Sequence, residues 1–110
     1  MEFKRTPDEA FQNLPEYPFS PNYANVGEND LRMHYVKEGP ESGRTVLLLH
    51  GEPSWSYLYR KMIPPLVGAG FRVIAPDLIG FGKSDKPVNQ SDYTYASHMG
   101  WLSAFVQALN

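Results

Sequence analysis

Val46-Leu47-Leu48-Leu49 is an unbroken apolar run that ends abruptly at His50-Gly51. A run of that length bounded by turn residues reads as a buried strand, Thr45–Leu49. Phe71–Pro76 (Phe-Arg-Val-Ile-Ala-Pro) is a second short strand with β-branched content. Between them, Ser54–Ala69 places Leu58, Met62 and Leu66 four residues apart, which is helical spacing. Pro64-Pro65 interrupts that pattern. The prediction is a broken helix restarting near Pro65, since proline suits a first helical turn, and closed by Gly68 and Gly70. Upstream, Leu31–Glu38 alternates, with Leu31, Met33 and Tyr35 on one side and Arg32, His34 and Val36 on the other. That is a strand with one buried face. It pairs with Tyr23–Val26 as a hairpin across the turn residues Gly27-Glu28-Asn29-Asp30. Downstream, Met99, Leu102, Phe105, Val106 and Leu109 share one face of an amphipathic helix that starts near Tyr93.

Strands alternating with helices predict an α/β fold, in which an antiparallel hairpin leads into a mostly parallel sheet with flanking helices. Residues 1–22 carry Pro7, Pro15, Pro18 and Pro21 among Phe11, Tyr17 and Phe19. Prolines so spaced prevent long helices and ladders, so an extended arm is expected, with a short turn near Asp8–Asn13, pinned to the body by its aromatics. Residues 23–110 read as part of one domain. The last helix presents an apolar face that calls for a wider sheet, so the fold is expected to be truncated. Asp77–Gln90 reads as a long loop.

The 110 residues allow one domain with a modest core. Net charge is −2, with no block of like charge, which argues against nucleic-acid or anionic-membrane partners. The absence of cysteine removes disulfides, zinc thiolates and cysteine nucleophiles from consideration. The acidic start has no apolar core of a secretory signal, and no apolar run approaches the roughly 20 residues that span a bilayer. A cytoplasmic location is expected.

Candidate chemistry gathers at His50-Gly51-Glu52-Pro53-Ser54-Trp55. A strand, tight turn and helix aim backbone N–H groups into a crevice at the carboxyl end of a sheet, where they can stabilise an oxygen that gains charge. Glu52 precedes a proline, which biases it to extended backbone and leaves its N–H available as a donor. Its side chain reads equally as a solvated charge or as a buried group needing a partner. His50 is read as hydrogen-bonding neighbouring backbone and shaping the turn rather than transferring protons. Ser54 is read as a helix N-cap, since no serine lies in a G-x-S-x-G context. Gly80-Phe81-Gly82-Lys83-Ser84 fails both phosphate-binding patterns: Asp77 stands where the first P-loop glycine belongs, and Asp85 where the third dinucleotide glycine belongs. Close packing is the reading for those glycines. His34 reads as a surface or edge residue and His98 as a helix boundary residue. No pair of histidines has metal-ligand spacing, so neither metal nor cofactor is expected.

Residues 50–64, His-Gly-Glu-Pro-Ser-Trp-Ser-Tyr-Leu-Tyr-Arg-Lys-Met-Ile-Pro, resemble the oxyanion-turn segment of haloalkane dehalogenases, which are α/β-hydrolases. Residues 73–87 resemble the next strand and loop of that family, and Leu31–Tyr35 its start. H-G-x-P alone is shared with epoxide hydrolases and esterase-like relatives; the glutamate and its continuation are more specific. The resemblance implies the N-terminal part of an α/β-hydrolase fold. It also implies hydrolysis of a halogenated alkane with water to an alcohol and halide, through an aspartyl ester. The Glu52 N–H would be one oxyanion donor, with His50, Gly51, Pro53 and Trp55 shaping turn and pocket. Some relatives carry asparagine at the position of Glu52, where its amide helps hold the halide. An ionised glutamate has no N–H to offer, so the halide donors are expected beyond Asn110, with the nucleophile, acid and base. Residues 1–110 alone are expected to release no halide, and the full-length protein is expected to be a monomer. The alternatives are an epoxide hydrolase or esterase of the same fold, or a non-catalytic truncated product or interaction half-domain.

Overall fold

The computed structural model describes residues 2–12, 14–15, 17–27, 31–51 and 54–109. The chain opens with a two-residue strand, β1 (Phe3–Lys4), and a single 3-10 turn at Asp8–Phe11. Strands β2 (Asn22–Asn25), β3 (Arg32–Glu38) and β4 (Thr45–Leu47) follow. A second 3-10 turn, Ser56–Tyr59, leads to helix α1 (Ile63–Gly68) and strand β5 (Arg72–Pro76). Strand β6 (Lys86–Pro87), a 3-10 turn at Gln90–Asp92 and helix α2 (Tyr95–Leu109) complete the order.

Four strands form one sheet in the order β2-β3-β5-β4. β2 and β3 are antiparallel, as are β3 and β5, while β4 and β5 are parallel. The expected α/β architecture is therefore present as a mixed sheet. β1 pairs with β6, so the loop expected over 77–90 contains a short strand that ties it to the start of the chain.

Alternation along β5 divides the core. Ile74 joins Met33, Val26, Leu31 and Ile79 against Trp101 and Phe105 of α2. Val73 and Ala75 join Val36 on the opposite face, against Ile63 of α1 and Tyr17 of the arm. Side chains two apart share a face, so this one strand serves both layers.

That double cover overturns several expectations. β3 has two buried faces: Met33 is 1% exposed on one, and His34 and Val36 are 0% exposed on the other. His34 is thus no surface residue; its polarity disguised an interior position. The stretch 56–62 is 3-10 helix and turn, where side chains recur every three residues. Leu58 and Met62 consequently stay about half exposed, and Ile63 is the buried position. The α-helix begins at Ile63 with proline in its first turn, rather than restarting at Pro65. On α2 the buried residues are Trp101 and Phe105, while Met99 and Val106 face outward. Finally, β4 stops at Leu47 and lies at the sheet edge, so Leu47 and Leu49 remain 40% and 42% exposed. A buried strand needs neighbours on both sides, and β4 has only β5 among the described residues.

The arm packs through its aromatics, as its composition suggested. Phe11 and Tyr17 lie 5.4 and 5.5 Å from Trp55, ring centre to ring centre.

Candidate active site at the carboxyl end of the parallel strands

β4 and β5 run parallel, so their carboxyl ends lie on the same edge of the sheet. β5 delivers Asp77, whose carboxylate is completely buried. A buried charge survives only with donors around it, and Asp77 has them. Its Oδ1 accepts the Ser56 N–H at 2.6 Å, and its Oδ2 accepts the Lys83 N–H at 2.9 Å and His34 Nδ1–H at 2.8 Å. Burial pushes this carboxyl up; the bond and charge of His34 and the bonds from Lys83 and Ser56 outweigh it and hold the group below its ordinary value. The backbone of Asp77 is tied as well, its N–H to the His34 carbonyl at 2.8 Å and its carbonyl to the Ser84 hydroxyl.

Gly82 makes the Lys83 contact possible. Its φ is +53°, and a Cβ there would stand 2.5 Å from Asp77 Oδ2 and 2.7 Å from Trp55 Cε3. Glycine lets the loop close onto the carboxylate. Asp85 anchors the far side of the loop: it is fully buried, and its carboxylate accepts Arg5 Nε at 2.7 Å and the Arg32 N–H at 2.9 Å. The glycine loop is thus organised around two buried carboxylates.

β4 leads to His50, which is 5% exposed. Its Nδ1–H donates to the Gly51 carbonyl at 3.1 Å, and its Nε2 accepts the Leu78 N–H at 2.9 Å. These two bonds assign the neutral tautomer with the proton on Nδ1. Both ring nitrogens are engaged with backbone, and the ring packs edge-on against Phe81 at 5.3 Å. Gly51 is exposed, and its carbonyl also accepts the Ser54 N–H at 2.9 Å. Glu52 and Pro53, the expected oxyanion donor and its neighbour, lie outside the described residues. Trp55 stacks on Tyr57 at 5.5 Å with the rings 18° from parallel.

Ser54 is not an N-cap. Trp55 occupies the position before the 3-10 turn, no side chain caps that turn, and the Ser54 hydroxyl lies 3.5 Å from the Trp55 carbonyl. His98 lies on α2, edge-on to Trp101 at 5.1 Å. The residues that sequence reasoning missed are Asp77 and His34. Asp77 carried a signal, since an acid directly after a buried strand and before a glycine loop sits where such sheets bind ligands.

A profile of the alpha/beta hydrolase fold matches residues 44–110. The chain belongs to the α/β-hydrolase family. Among proteins similar to this α/β-hydrolase chain is the haloalkane dehalogenase of Mycobacterium marinum, 56% identical over 112 residues that cover 99% of the chain and 38% of that protein. The structure of the tetrameric haloalkane dehalogenase DpaA from Paraglaciecola agarilytica NO2 superposes with a TM-score of 0.95 at 49% identity, covering 99% of this chain and 38% of the other. Epoxide hydrolase VrEH1 from Vigna radiata matches with a TM-score of 0.73 at 34% identity, over 83% of this chain and 28% of its own. The α/β-hydrolase chain therefore spans about 38% of the length of the dehalogenases it matches. No helix among the described residues is long and apolar enough to cross a membrane.

Proposed function

We propose that this chain is the N-terminal part of a haloalkane dehalogenase, and that Glu52 supplies one backbone N–H of its oxyanion hole. The observation that carries the reading is a likeness that runs the length of the chain: 56% identity and a TM-score of 0.95 for dehalogenases, against 34% and 0.73 for an epoxide hydrolase. The site geometry supports it. His50, two residues before Glu52 in the chain, is tied to the end of β5 through the Leu78 N–H.

In the reaction so assigned, an aspartate from the remaining length displaces halide from a haloalkane and forms an alkyl ester. Water, activated by a histidine, then attacks that ester. The oxyanion of the tetrahedral intermediate is held by the Glu52 N–H and by the amide after the nucleophile. Loss of one such donor costs about 2.7–4 kcal/mol of barrier. Halide is held by donors in the remaining length.

The test is halide release from bromoalkanes by the full-length protein, read alongside opening of styrene oxide. Stoichiometric halide and alcohol are expected. Epoxide opening without halide release overturns the reading in favour of an epoxide hydrolase, and neither reaction favours a non-catalytic product. A monomer in the cytoplasm is the expected state; since DpaA is tetrameric, sedimentation of the full-length protein distinguishes the two assemblies.

A further inference from the structure

The end of β5 holds the 50–56 segment at two points. Before the turn, the Leu78 N–H reaches His50 Nε2. After it, the Ser56 N–H reaches Asp77 Oδ1. The stretch between them carries Glu52. A donor on such a stretch is only as well placed as its two anchors, and a shift of about 1 Å at a catalytic group can cost ~10²-fold in rate.

Asp77 is built to be an immobile anchor. Its other oxygen is taken by His34 and Lys83, and its own N–H and carbonyl are taken by His34 and Ser84. His34 is fixed in turn: it is fully buried, its N–H donates to the Ser84 hydroxyl at 2.8 Å, and its ring lies edge-on to Tyr23 at 5.5 Å. One feature of His34 argues against simple core filling. Its Nε2 is buried with no hydrogen-bond partner among the described residues. An unpaired buried polar atom is destabilising, and an apolar side chain would fill the space without it. What the histidine adds is the Nδ1–H aimed at Asp77.

We infer that His34 and Asp77 are a positioning pair for the oxyanion turn, acting through the Ser56 amide on the placement of the Glu52 N–H; this rests on the dehalogenase reading. The two chemical steps differ in what they ask of that donor. In displacement, the carboxylate oxygen bonds to carbon as the carbon–halogen bond breaks, and halide leaves with the bonding pair. No charge builds on the carbonyl oxygen. In hydrolysis, water adds to the acyl carbon and loses a proton to the base, and the carbonyl oxygen becomes an oxyanion. Collapse then breaks the acyl–oxygen bond, and the alkoxide leaves as alcohol on taking a proton. Stabilisation by the turn's donor therefore grows in the second step and not in the first.

The experiment is rapid-quench turnover of a bromoalkane by the full-length enzyme. Asp77→Asn places an N–H where two donors converge, so it should slow ester hydrolysis roughly 10²-fold while a burst of about one halide per site survives. His34→Leu should shift the balance of steps in the same direction. His34→Asn, whose amide N–H lies near the place of Nδ1, should restore it. Equal slowing of both steps in Asp77→Asn, or identical behaviour of the two His34 variants, overturns the inference. Should these variants not fold, the Ser56 amide of the wild-type enzyme decides: a low-field proton shift and slow hydrogen exchange are expected, and a rapidly exchanging amide overturns the anchor. Absence of halide release by the wild-type enzyme is a different result, which sinks the dehalogenase reading itself.

Discussion

Replacing Gly82 with alanine tests whether the glycine loop is shaped by its approach to Asp77. Two costs are separable. The backbone sits at φ +53°, in the left-handed region, where a side chain costs about 1–2 kcal/mol. The new Cβ would also stand 2.5 Å from Asp77 Oδ2 and 2.7 Å from Trp55 Cε3. Asp77 is fully buried and bonded on every side, so neither it nor the loop can yield cheaply; forced overpacking of this kind costs about 1–3 kcal/mol. The sum is about 2–5 kcal/mol. Gly70 supplies the control: its φ is +95°, but nothing lies within 4 Å of an added Cβ. Gly70→Ala should therefore show the backbone cost alone, about 1–2 kcal/mol. Urea unfolding of the full-length protein, with the slope of free energy against denaturant unchanged, measures both. Equal losses at the two positions would refute the argument, because they would mean that the approach to Asp77 contributes nothing beyond the backbone conformation.

Phe105 is fully buried and anchors α2, so Phe105→Ala should lower stability by about 3–5 kcal/mol in the same assay. Tyr17→Phe should cost about 1 kcal/mol, because it leaves the buried Ser56 hydroxyl without the phenol 2.6 Å away. Acid should weaken the fold through Asp77: its native carboxyl titrates below the ordinary value of 3.8, so the native state binds fewer protons than the unfolded one. The stabilisation is complete above that ordinary value and disappears as pH falls through the native one; Asp77→Asn should remove this part of the acid dependence. His98 behaves in the opposite chemical sense, since burial lowers its pKa below 6.5 and disfavours the charged ring. Its contribution to stability declines as pH falls below that value, and acid titration of His98→Phe should lack the decline.

Much of the fold was legible in the sequence because it rests on local pattern. The hairpin, β5 and α2 follow from alternation, β-branched content and helical spacing within single segments. What misled was exposure, which local pattern does not carry. Val46–Leu49 is as apolar as a central strand, yet β4 sits at an edge among the described residues, and its exposure is set by what lies beside it. Leu58 and Met62 have α-helical spacing, but the stretch that carries them winds as 3-10 helix and then turn. The turn signal at His50 is contiguous in the sequence, whereas the carboxylate that bonds the Ser56 amide comes from the end of another strand.

The reason lies in register. His34 and Asp77 are 43 residues apart, and neither stands out alone, the one in an alternating strand and the other at the mouth of a loop. They meet because β3 and β5 pair with Tyr35 opposite Pro76, which sets His34 beside Asp77. Slipping that pairing by one residue would turn His34 to the α2 face and bring Tyr35 or Met33 to the carboxylate. Neither offers a ring N–H, and Asp77 would keep its charge with one donor fewer. The hydrophobic cores on the two faces enforce the register, since Val36 and Met33 would exchange layers in the same slip. The packing of an apparently ordinary hairpin is thus what places the carboxylate that bonds the Ser56 amide, so substitutions in β2 or β3 that loosen register should speed hydrogen exchange of that amide before they abolish folding.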